Sequence, residues 1–170
     1  MPPGEAVVHR DGRLVLHGQS LRCALGRGGV IAAERKREGD GATPTGLLTL
    51  RRLFYRADCG PIPRTVLQRV PIARDDGWCD DPGHAEYNRL VRLPFDASHE
   101  RMWRSDELYD IVAELGWNDA PVVAWRGSAI FLHLAGAMYG PTAGCVALSR
   151  SDLLMVLEAG LSAVRVLPTG

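Results

Sequence analysis

Neither sign of charge is in excess, with 20 Lys and Arg residues set against 20 Asp and Glu. Binding to nucleic acid or an anionic bilayer usually shows as a basic excess, so nucleic acid is not an expected partner. No apolar run reaches the ~20 residues that cross a bilayer, and no integral membrane segment is expected. Cys23, Cys59, Cys79 and Cys145 include no C-x-x-C pair, which argues against a zinc ribbon or a thioredoxin-like centre. Asp75, Asp76, Asp80 and Asp81 miss the alternate spacing and terminal Glu of an EF-hand, so no metal is expected. The opening MPPGEAVVHRDGRLVLHG has neither the apolar core nor the small-residue cleavage site of a secretory signal. Internal repeats and low-complexity tracts are absent as well.

What is present suits one β-rich domain over residues 1–170. Nineteen glycines and eleven prolines imply many turns, and 46% hydrophobic content can fill one core. Glu5–His9, Arg13–Gly18 and Leu21–Leu25 read as consecutive strands, separated by Asp11-Gly12 and Gln19-Ser20. The charged stretch Glu34–Asp40 reads as a solvated loop or strand edge. Leu47–Tyr55 alternates as a strand does. Ser105–Gly116 has an N-cap Ser, early acids, an apolar stripe at Leu108, Ile111, Val112 and Leu115, and a closing Gly, which predicts a helix. Val122–Trp125 reads as a buried strand. Ser149 caps a second helix, and Ala163–Leu167 is a final strand. Cys59 and Cys79, both in turn-rich context, are candidates for a disulfide in an oxidising compartment.

The segment Asp75–Pro82 with Tyr87-Asn88-Arg89 is polar, aromatic and long for a loop, and such loops often carry function. Trp78, Tyr87, Asn88 and Arg89 are therefore candidates for lining a cleft. His99, next to Glu100, is a cleft or structural residue, because neighbours in a strand face opposite ways.

The stretch most suited to chemistry is Ser128–Ser149, SAIFLHLAGAMYGPTAGCVALS. Two apolar runs, Ala129–His133 and Cys145–Leu148, flank a Gly- and Pro-bearing loop, with His133 and Cys145 at its ends. An antiparallel pairing would set these two residues opposite each other, Cβ atoms about 5 Å apart. A free thiol of pKa about 8.5 is only ~3% thiolate at pH 7. A neighbouring imidazole that takes the proton and holds the thiolate as an ion pair would make it a nucleophile. Gly144 would let a carbonyl approach the main chain, and N–H groups around Gly144–Cys145 would form an oxyanion hole. A strand cysteine is also common core filler, and a single histidine a common structural residue. The residues alone leave both readings open.

The segment T-A-G-C-V-A-L at 142–148, after a histidine closing an apolar run, resembles the active-site signature of the L,D-transpeptidases, the YkuD-like family. Ala42–Gly46, ATPTG, resembles that family's T-P-x-G element, and the likeness runs from about Gly28 to Val166. Three features depart from it. Ala143 stands where many members carry a second His, Ala147 where many carry Arg or Asn, and the His-to-Cys separation of 12 is short. These bear on the polar lining of the acyl site and leave nucleophile and base in place.

The resemblance implies a mainly β fold, a sandwich or partly closed barrel with two helices. It implies Cys145 as nucleophile, His133 as base and Thr142 as support for the loop or oxyanion site, with no cofactor. Peptidoglycan stem peptides would be donor and acceptor, carbapenem-type β-lactams covalent inhibitors, and the location periplasmic or wall-associated. A hydrolytic carboxypeptidase or endopeptidase using the same pair, and a non-catalytic peptidoglycan-binding module, are the alternative readings.

Overall fold

Short strands with buried alternate residues close on themselves in the computed structural model, which describes residues 4–168. Eight of them form the barrel: β1 Glu5–His9, β2 Arg13–Leu16, β3 Gln19–Ala24, β4 Gly46–Tyr55, β5 Ile111–Leu115, β6 Phe131–Leu134, β7 Val146–Leu148 and β8 Ala163–Val166. Their order is β5-β6-β7-β3-β2-β1-β8-β4, and β4 pairs back onto β5 to complete the ring. Closure leaves no open edge to recruit another chain. Two neighbouring pairs are parallel, β1 with β8 and β6 with β7, and the rest are antiparallel.

Alternation along β4 buries Leu48 and Leu50 against aliphatic side chains of the other strands, and the interior fills with Leu, Val, Ile and Ala. The α-helix α1, Arg150–Glu158, covers this core with Leu153, Val156 and Leu157. Its N-terminus is capped as the sequence predicts, by Ser149 Oγ accepting the Asp152 N–H at 3.1 Å. Three smaller pieces lie outside the barrel. They are a three-stranded sheet (Asp76–Cys79, Leu90–Arg92, His99–Arg101), a parallel pair (Val30–Ile31 with Thr43–Pro44) and a strand, Gln68–Pro71, laid along β4.

The mainly β class holds, with one α-helix and one 3-10 turn, Ala33–Arg35, among the described residues in place of two helices. The predicted helix at Ser105–Gly116 is instead an irregular turn followed by β5. A strand flanked on both sides and buried on both faces has a continuous apolar run, which helical spacing imitates. Val122–Trp125 is a surface loop, with Trp125 largely exposed. The turn between β2 and β3 falls at His17-Gly18, both at positive φ, and Gln19 and Ser20 belong to β3. Lys36, within the stretch read as solvated, is only 2% exposed. All four cysteines are free thiols, Cys59 and Cys79 among them.

Candidate active site

The pairing that matters is parallel, contrary to the antiparallel expectation. His133 in β6 stands beside Ala147 in β7, so Cys145, just ahead of β7, is level with Phe131. The alternation of side chains then puts His133 and Cys145 on one face, a diagonal step apart, with Cβ atoms roughly 7 Å apart. Both line one cleft of about 390 Å³.

The loop carrying the cysteine is held by its own threonine. Thr142 Oγ1 donates to the Cys145 carbonyl at 2.7 Å and accepts the Gly144 N–H at 3.1 Å. The Thr142 backbone is tied to Leu25 and Arg27. Gly144 has φ +134°, and a Cβ there would meet the Ala42 carbonyl at 2.9 Å, so only glycine fits without strain. ATPTG therefore packs directly under the Gly-Cys turn. Its Thr43 is fully buried and accepts the Gly26 N–H at 2.9 Å.

Burial favours the neutral form of both partners. The Cys145 thiol donates to the Ala129 carbonyl at 3.2 Å and accepts the Phe131 N–H at 3.3 Å. Burial, with a contribution from the Glu100 charge, pushes its pKa up to about 12. His133 Nδ1 donates to the Leu134 carbonyl at 2.8 Å, which leaves the lone pair on Nε2. Burial lowers the His133 pKa to about 4, against a smaller raising effect of that hydrogen bond. No hydrogen bond joins the two side chains. Burial works against the expected thiolate–imidazolium pair, because it penalises both charges.

The residues expected to line the cleft divide. Thr142 does line it. Trp78, Tyr87, Asn88, Arg89 and His99 do not; Trp78, Tyr87 and Asn88 build the wall behind it. Trp78 is buried edge-on to Phe131, ring centroids 5.0 Å apart, and its indole N–H donates to Asn88 Oδ1 at 3.0 Å. Asn88 also accepts the Ala129 N–H at 3.0 Å and donates to the Trp117 and Asn118 carbonyls, tying the outer sheet to the strand entering β6. The Tyr87 hydroxyl donates to Glu38 and accepts the Gly127 N–H. Arg89 is exposed on another surface. His99 bonds its own Ala97 carbonyl at 2.8 Å.

The polar lining that sequence reading missed is Lys36, Glu38, Asp80, Glu100, Arg104 and Tyr109. Tyr109 packs edge-on to the imidazole of His133 at 5.2 Å, and its hydroxyl donates to Glu100 at 2.7 Å. Alternation in His99–Arg101 already says that His99 and Glu100 face opposite ways. Which of them faces the site depends on how the outer sheet docks, and that is a tertiary fact.

Searches of curated proteins and of solved structures gave no match. The family model for the YkuD L,D-transpeptidase catalytic domain matches residues 4–163. That span takes in the barrel up to the start of its last strand, the loop bearing the thiol and the histidine beside it, and the chain belongs to the L,D-transpeptidase family, whose activity is on peptidoglycan.

Proposed function

We propose that the protein is a cysteine-dependent L,D-transpeptidase. It would cleave the amide between the third, L-centred residue of a peptidoglycan stem and the D-alanine after it. The reading rests on one observation: a buried thiol and a neutral imidazole with a free Nε2 line the same cleft from adjacent strands. A depressed imidazole pKa suits a base that must be unprotonated when substrate arrives.

The donor carbonyl enters over Cys145. The Sγ–H proton passes to His133 Nε2 as sulfur attacks, so the thiolate need never accumulate in the dry site. The Gly144 N–H is already taken by Thr142 Oγ1, and the Cys145 N–H is the loop donor that serves the oxyanion. D-alanine leaves with the proton from His133, giving a thioester on Cys145. An amine of a second stem then attacks it, forming the new amide and restoring the thiol. Such chemistry takes place at the cell wall, where both stems are found.

Cys145→Ala should lower turnover of purified muropeptides by at least ~10⁴-fold. Its cost in stability should be about 1 kcal/mol, from the hydrogen bond lost at the Phe131 N–H. Mass spectrometry of the native chain with a carbapenem should place one adduct on Cys145. Dimers formed in the presence of an amine acceptor mean transfer, and shortened monomers alone mean hydrolysis. Full activity in Cys145→Ala would remove the nucleophile assignment.

A further inference from the structure

We propose that Glu100, with Asp80 beside it, receives the ammonium group of the acyl acceptor in the cleft and takes its first proton. The inference rests on the reading of Cys145 as the acylated nucleophile.

The cleft holds charges that are not balanced among themselves. Its two inner cations are already engaged, Lys36 with Asp40 at 2.6 Å and Arg104 with Asp106 through a forked contact. The remaining cation, Arg27, sits exposed at the rim. Of the carboxylates, Glu38 is held by the hydroxyls of Tyr87 and Ser128. Glu100 has one oxygen on the Tyr109 hydroxyl at 2.7 Å, and among the described residues it forms no ion pair, the nearby Arg104 being forked onto Asp106. Asp80 Oδ1 is buried with no hydrogen-bond partner at all.

A buried carboxylate oxygen without a donor is costly unless something supplies the donor. No group of three or more His, Cys, Asp or Glu among the described residues is arranged to hold a metal ion. An organic cation is therefore the fitting occupant. An ammonium brings three N–H donors, enough for Asp80 Oδ1 and the free oxygen of Glu100 together.

The location suits the second half-reaction. Glu100 lies close enough to Cys145 for its charge to raise the thiol further. Burial above all, with the Asp80 and Glu38 charges, raises the Glu100 carboxyl against the lowering pull of the Tyr109 hydroxyl and the Arg104 charge, so it holds a proton more readily than an exposed glutamate. An ammonium has no lone pair and cannot attack. It gives one proton to the Glu100 carboxylate, and the neutral amine adds to the thioester carbonyl. The C–S bond then breaks, His133 takes the second N–H proton and passes it to sulfur, and the products are an amide, a thiol and a protonated Glu100.

The test compares native chain, Glu100→Gln and Asp80→Asn with muropeptide donor and two nucleophiles. One is a primary amine that is cationic at pH 7, the other hydroxylamine, which is largely neutral there. Carbapenem adduct formation is followed in parallel. Glu100→Gln should raise KM for the cationic amine about tenfold or more, and lower the ratio of amine to hydroxylamine transfer by a similar factor. Adduct formation with the anionic carbapenem should become several-fold faster, since a like charge has gone. Asp80→Asn loses no side-chain hydrogen bond that the structure contains, and should move the ratio the same way by a smaller factor. A ratio within twofold of native in both variants would overturn the inference. So would equal loss with both nucleophiles, which marks mere support of Tyr109. A native chain that forms neither adduct nor transfer product would instead remove the transpeptidase reading, and this inference with it.

Discussion

The barrel interior and the seam outside it are both buried and apolar, yet they are built from different side chains. The interior is aliphatic, with Leu14, Leu53, Leu132, Leu148 and Leu153 all fully buried among Val, Ile and Ala. The seam, where the outer sheet docks on β4, β5 and β6, holds Phe54, Trp78, Met102, Tyr109, Phe131 and Cys145. Aliphatic packing is non-directional and makes a stiff ring. Aromatic rings meet edge to face, and Trp78, Tyr109 and Phe131 do so within 5.8 Å, which orients each ring relative to the next. Cys145, the proposed nucleophile, belongs to the oriented cluster. The interior should therefore answer to stability and the seam to chemistry.

The largest effect should break the interior. Leu132→Ala, fully buried between β5 and β7, should cost about 3 kcal/mol in urea unfolding. The carbapenem adduct rate of the folded fraction should stay within a few-fold of native. A rate lost in proportion to stability would erase the distinction between the two regions.

A second prediction concerns acid. His133 has a folded pKa of about 4 against an ordinary 6.5. Between those values the unfolded chain binds more protons, so its contribution is complete above pH 6.5 and is lost as pH falls toward 4. Native stability should drop by about 2 kcal/mol more than that of His133→Gln on going from pH 7.5 to pH 5, read from denaturant midpoints. Parallel pH curves for the two proteins would mean that the imidazole is not held neutral by burial.

The smallest stability effect sharpens the comparison furthest. Thr142→Val keeps the side-chain volume and removes the hydroxyl that ties Gly144 to Cys145. It should cost about 1 kcal/mol and still slow the carbapenem adduct roughly tenfold, because the loop donor and the sulfur lose their common brace. An adduct rate equal to native would show that the turn is held by Gly144 and Ala42 alone.

The elements of the candidate site were legible in the sequence where they are local. The run ending in His133, the T-A-G-C turn and the Ser149 cap each depend on neighbours within a few positions. Asp11-Gly12 marked the first hairpin for the same reason, and Gly12 takes the positive φ that the turn requires. What escaped was set by partners far along the chain. β5 lies between β4 and β6, and that flanking turns an apparent helical stripe into a strand. Lys36 is buried because the chain at Gly127, far on in the sequence, packs against it and the cleft closes over it. Trp78 and Asn88 looked like loop residues aimed at substrate, but they tie the outer sheet to the barrel. Glu100 was in view beside His99, and only the docking of that sheet chose between them.

The parallel alignment of β6 and β7 has one more consequence. Parallel neighbours cannot be joined by a tight hairpin, and the chain must return to its starting end before the second strand begins. Here the return is 135–145, and Ala135, Gly136, Gly140, Pro141, Thr142 and Ala143 from it rim the cleft. Its stem is pinned at Ala135, Thr142 and Gly144, while Met138 at the tip is 85% exposed and clear of the ladder hydrogen bonds. A change in the length or side chains of this span would therefore reshape the mouth of the cleft and leave the ring that sets sulfur and imidazole side by side undisturbed.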